Sequence, residues 1–559
     1  MSKYYNRRKF IKLSTSAAAG SVAILSGLNF GCNIIKPSSE VFVWGAPGGN
    51  VPASPDYEVT LRRGGKIWKL FTYYSFNKPV DKIVDHDKEG NYIKLRFLAL
   101  NSNPYRRPEE FTDTFAHSWA YFDFAGGPVD VEVKILKAFN GLTLPLKSCG
   151  IFPSAFGIDY QIIGDNVIRF TLNKPVKIAI VPNYLQALDK LENTEPKQAF
   201  EGYRNPLFLF VRTPEDNVPS KNAPGTLVIN PGQSYGVDEF SKAETIYFEP
   251  GVHDYSQYNP EDRNHYIELK TGQTVYLAGG AYVYGIFCSG IKSPISDMPV
   301  ICGRGTFSGD RQPWTGLPGY FTLERNVRMD GIHITDPHNH ISHSIAPVKD
   351  VAVVGAWHGN TDGIGRDVMI PDHFDGWHAD ECFVMAADTN LSVGGSGRVR
   401  NHTIWQLNNA EPLWLKRTSG SIVDGMNVIA YNKWGTSISQ NPGQVVNLNI
   451  DERRGPNKDI IVRNVLVEAP FISRFLLMAS VYKGEKLAFD TVLFENITLK
   501  TPYIHFKSLI GLQNETSPGF GKVVFRNLVI NGIKVTAWNY NDYFELLKGV
   551  SVGKEILFE

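Results

Sequence analysis

Cysteine is scarce in this 559-residue chain, with five in all. None belongs to a CxxC pair or stands at metal-ligand spacing, so neither a disulfide framework nor a zinc site is expected. Cys149, Cys288, Cys302 and Cys382 read as small buried hydrophobes. An excess of one charge is also missing, since 57 Lys and Arg face 56 Asp and Glu for a net charge of +1. That balance removes the general electrostatic reason to expect nucleic acid or an anionic membrane surface as partner. There is no Gly-rich phosphate loop, no Ser-His-Asp order and no compact acidic loop, so no cofactor and no metal is expected. A membrane span is excluded as well. The apolar stretch from Ala17 to Leu28 is about 12 residues, against the roughly 20 that a helix needs to cross a bilayer.

That stretch follows Asn6-Arg7-Arg8-Lys9-Phe10-Ile11-Lys12, a twin-arginine pattern, and residues 1–32 are expected to be an export signal. Gly31-Cys32 closes it as a lipoprotein processing site does. Asn29 stands where that pattern has Leu, which leaves a lipid anchor at Cys32 open. The expectation is an exported monomer, periplasmic or at the cell surface.

Helical periodicity is nearly absent from the rest of the chain. Val129, Val131, Val133 and Ile135 alternate with Asp130, Glu132 and Lys134, the signature of a half-buried strand. Val167 to Leu172 and Val176 to Ile180 repeat it around the turn residues Asn173, Lys174 and Pro175. A β-sandwich is expected over 36–224, ending in the linker-like Thr213 to Gly225. Beyond it, short apolar runs recur. Asn464-Val465-Leu466-Val467, Asn496-Ile497-Thr498-Leu499 and Asn527-Leu528-Val529-Ile530 share one pattern at intervals of 32 and 31 residues. Self-similarity at this period, with short strands in each unit, predicts a β solenoid. The fold class is therefore all-β, an N-terminal sandwich followed by a right-handed parallel β-helix over 225–559.

Stacked coils lie about 4.8 Å apart, so residues one coil apart in sequence come together in space. Thr361-Asp362-Gly363 and the pair Asp380-Glu381 are separated by 18 residues, about one coil. If so stacked, they form a carboxylate cluster. Crowded carboxylates cannot all stay ionised cheaply, and one can serve as acid while another serves as base, as inverting glycoside hydrolysis requires. The chain is also rich in rings, with 10 Trp and 25 Tyr. Trp377, Trp405, Trp414 and Trp434 are candidate sugar platforms. His378 and Lys416 are candidate donors to hydroxyls.

Tyr247 to Arg417 resembles glycoside hydrolase family 49, the dextranase and isopullulanase family, and more distantly the polygalacturonases of family 28. The resemblance is carried by Phe248-Glu249-Pro250-Gly251-Val252, Val275 to Val283, Asn360-Thr361-Asp362-Gly363, Trp377-His378-Ala379-Asp380-Glu381, and Thr403-Ile404-Trp405 with Asn408 and Asn409. It implies a polysaccharide substrate, most closely an α-glucan such as dextran. It also implies an inverting mechanism, with Asp380 as general acid, Asp362 and Glu381 holding the water, and Asn409 among the substrate contacts. Two departures stand out: the second adjacent acid is Glu, and the interval from Trp377-His378 to the pair is one residue short. The glycine-flanked histidine and the Arg-x-Lys of polygalacturonases are not evident. A polygalacturonase-like or other β-helix polysaccharide hydrolase, a polysaccharide lyase and a non-catalytic carbohydrate-binding β-helix are the alternatives.

Overall fold

The structure, a computed structural model, describes residues 40–76, 85–86, 92–93, 116–139, 142–192, 201–256, 267–285, 287–288, 297–311, 327–337, 342–343, 347–356, 363–365, 378–407, 410–431, 443–448, 457–480, 487–513 and 519–559. The export signal expected at 1–32, Cys32 included, lies outside them.

The N-terminal part is a sandwich of two sheets. In the five-stranded sheet, Val129–Ile135 pairs antiparallel with Tyr57–Arg63 and Val167–Leu172. Its four apolar residues are buried while Asp130 and Lys134 are exposed, as alternation demands. The six-stranded sheet is different, because Ala116–Phe124 is buried along its whole length. One face, with Ala120, Phe122 and Phe124, meets the partner sheet. The other, with Trp119 and Tyr121, packs on Tyr282, Tyr284, Ala352, Phe383, Met385 and Trp405 of the second part. Polar ties reinforce this contact. Arg304 Nε donates to Asp123 at 2.7 Å, and Arg212 Nε donates to Asp350 at 3.0 Å. The start of the expected linker is docked as well, since Thr213 O accepts from Arg304 and Glu215 accepts from Tyr276 OH.

The second part is a right-handed parallel β-helix. A sheet of 20 strands and a parallel sheet of eight wrap one apolar interior. In the middle and later coils, the larger sheet bends sharply at one residue held at positive φ. These are Gly331, Asp350, Glu381, Asn401, Gly425, Asn464, Asn496 and Asn527, with φ from 50° to 85°. This region costs other L-residues most and Gly and Asn least, which explains the recurring Asn that begins each repeat. The asparagines also bond to one another, Asn527 Nδ2 to Asn496 Oδ1 at 3.0 Å and Asn496 Nδ2 to Asn464 Oδ1 at 3.2 Å. The residue after the bend points inward, giving the buried column Ile332, Val351, Cys382, His402, Met426, Val465, Ile497 and Leu528. The residue before it points outward and alternates in charge. Asp330, Lys349, Asp380, Arg400, Asp424, Arg463, Glu495 and Arg526 pair in register from coil to coil.

Candidate active site

The eight-stranded sheet gives the helix its second outward face. Its strands run parallel in the order Ser342–His343, Ile364–Gly365, Leu391–Gly395, Leu413–Thr418, Val446–Asn447, Leu476–Ser480, Ser508–Leu512 and Phe544–Leu546. Ile364, Leu391, Leu413, Val446 and Leu476 all lie in the core. Their successors Ser392, Trp414, Asn447 and Leu477 are stacked in register on the other side. Lys416, two residues beyond Trp414, lays its Nζ over the indole at 3.4 Å from the ring centroid.

The chemistry gathers where the chain enters this sheet. Asp388 is half-buried, and its carboxylate accepts the Thr389 amide at 2.9 Å. Asn390, two residues on, points inward and donates to Val384 O at 2.8 Å. One coil further along, Glu411 stands at the same entry, because the Asn390 amide donates to the Glu411 carbonyl. Its carboxylate is buried and accepts from Asn447 Nδ2 at 2.8 Å and Gln444 Nε2 at 3.1 Å. Those two amides fix the carboxylate's orientation, and a carboxylate can accept about four hydrogen bonds in all. One coil before, the Gly363 amide donates to the Thr389 carbonyl at 2.8 Å. A Cβ on Gly363 would meet Asn390 O at 2.1 Å, so the coils can stack here only with glycine at that position. Asp362, the residue before it, lies outside the described residues, as do Trp377, Asn409 and Trp434.

The structure does not bring Asp380 and Glu381 to this entry. Both lie on the larger sheet, where Asp380 ends the His378–Asp380 strand and Glu381 is the bend residue at φ 55°. Arg400 grips Asp380 with two bonds of 2.8 and 2.6 Å, the fork of a charge ladder. The cleft of about 350 Å³ that His378 and Asp380 help to line is furnished by that ladder, with Arg398, Arg400, Asp424 and Arg463. The expected stacking fails because the coil is longer than 18 residues. In register, Thr389 stands over the position of Asp362, so the acid beside it is Asp388. Both departures from the family pattern belong to a bend that imitates an acid pair. His378 is likewise on the ladder face, away from the groove. Trp405 is corrected too. It is fully buried between helix and sandwich, 4.7 Å from Tyr203 and 4.9 Å from Phe208 by ring centroids, and no sugar reaches it. Trp414 and Lys416 do stand on the groove sheet.

Asp388 and Glu411 were missed, though one signal pointed to them. A charged residue followed by Asn or Gly and then an aliphatic recurs as Arg463-Asn464-Val465, Glu495-Asn496-Ile497 and Arg526-Asn527-Leu528. Asp380-Glu381-Cys382 fits that series as a bend, leaving Asp388 and Glu411 as the acids that precede apolar strands. Among the described residues, no group of three or more His, Cys, Asp or Glu is placed to hold a metal ion, and no helix is long and apolar enough to cross a membrane.

No protein-family model matches the chain, and no curated protein matches it. Solved structures do. Dex49A from Penicillium minioluteum superposes with a TM-score of 0.67 at 17% identity, over 93% of this chain and 99% of that one. A polygalacturonase from Erwinia carotovora ssp. carotovora gives 0.40 at 10% identity, over 61% of this chain and 99% of that one. The catalytic domain of a GH87 α-1,3-glucanase gives 0.34 at 11%, over 86% and 98%. The class is thereby set: a two-part all-β chain whose sandwich is docked on a parallel β-helix. The particular fold it shares is that of Dex49A, end to end.

Proposed function

We propose that this chain is an exported glycoside hydrolase that cleaves an α-glucan of the dextran type with inversion. The observation that carries the reading is the meeting of Asp388 and Glu411 on adjacent coils at one edge of the groove sheet. Asp388, reached by solvent, protonates the leaving glycosidic oxygen. Glu411, oriented by Asn447 and Gln444, takes the proton of the attacking water. Inversion needs the two carboxyl groups roughly 6.5–9.5 Å apart across the sugar, with room for that water. Asp362 keeps its place beside them on the sequence resemblance, one residue before Gly363. The plan shared with Dex49A supports the substrate class, and the twin-arginine pattern supports export. The chain acts as a monomer in this reading.

The test is the anomeric configuration of the first product, followed by proton NMR on dextran. β-Configured reducing ends are expected from α-linkages before mutarotation. Retained α-configuration contradicts the proposal.

A further inference from the structure

The entry column does not stop at Glu411. The residues two positions before each strand of the groove sheet continue as Gln444, Arg474 and Phe506, one per coil. The Phe506 amide donates to Ser473 O at 2.8 Å, which stacks its coil on that of Arg474. Two features of this stretch are unexplained by packing. Arg474 Nε is buried with no hydrogen-bond partner among the described residues, although an unmet buried donor is costly. Phe506 leaves 37% of its surface in solvent, with the Arg474 guanidinium 5.5 Å from its ring centroid. The adjoining outward row also changes character here. After Trp414 and Asn447 it continues as the half-exposed Leu477 and Leu509.

We propose that Arg474 and Phe506 form a distal sugar subsite. The Phe506 ring, flanked by Leu477 and Leu509, lies against the apolar face of a pyranose, and Arg474 donates to its hydroxyls. Phe506 is three coils from Glu411, roughly 14 Å along the axis. The unit it holds is therefore several sugars from the bond being cut. This rests on the hydrolase reading above and adds to it a polymer preference. Shape and hydrogen bonding, not charge, select the occupant.

The test uses the full purified chain, with Phe506→Ala and Arg474→Ala, on short and long α-(1→6)-glucan oligomers and on dextran. Both variants should turn over the shortest substrates as wild type does. On long ones KM should rise roughly tenfold at unchanged kcat, the mark of lost binding common to ground and transition states. Variants equal to wild type at every length overturn the subsite. So does an equal loss at all lengths, which would mean a structural role. If wild type cleaves none of these glucans, the substrate reading falls separately. The subsite is then read by retardation in gels containing dextran, pullulan or pectin. Wild type slowed more than Phe506→Ala supports it, and equal mobility overturns it.

Discussion

Glu381 occupies a backbone position that its neighbours in the column fill with Asp, Asn or Gly. It is exposed, and φ 55° is costly for a residue whose side chain cannot bond back to the local backbone as Asn does. Replacing it with Asn should leave turnover unchanged and raise Tm by about a degree or two. A kcat loss of a hundredfold or more would return Glu381 to the chemistry. At this scale the sequence was partly misleading. Two adjacent acids carry no mark that separates an acid pair from a strand end and its bend. Trp414 and Lys416 were legible because both precede or follow apolar residues at strand spacing, whereas Trp405 sits in the same texture and is sealed by another sheet.

Elements were easier to read than side chains. The alternation of Val129 to Ile135 and the repeats at Asn464, Asn496 and Asn527 pointed to sandwich and solenoid directly, because strand period and bend chemistry are local. What stayed hidden was which of the two outward faces each repeat residue joins. That depends on coil length, and loops between Gly363 and Leu391 lengthen the coil beyond a regular turn. The ladder of alternating charges, by contrast, is a register device. Lys349, Asp380, Arg400 and Asp424 each face an opposite charge in the coils on either side, so a slip of one coil would bring like charges together.

At the scale of the molecule, sandwich and helix share one compact unit over 40–559, and no composition shift announced how much aromatic surface they bury together. The joined interior also sets an acid limit. Burial lowers His117 and His402 from 6.5 to about 3, with Lys177 adding to the effect at His402. Because the folded values lie below the unfolded one, the stability of keeping both neutral is full above about pH 6.5 and is lost as pH falls toward 3. Each should cost about 1.4 kcal/mol per pH unit in that window. Calorimetry should show Tm falling between pH 7 and pH 5, and His402→Met, matching Met426 in its column, should reduce the slope. A flat Tm across that range contradicts the burial. The whole arrangement makes one claim about where chemistry happens: on the eight-stranded face, at the entry held by Asp388, and not on the charge ladder. The direct measurement is kcat on dextran for Asp388→Asn and Asp380→Asn side by side. The account predicts a loss of at least roughly a hundredfold for Asp388→Asn, with Asp380→Asn near wild type in kcat and lower only in Tm. Full activity in Asp388→Asn with collapse in Asp380→Asn would contradict it.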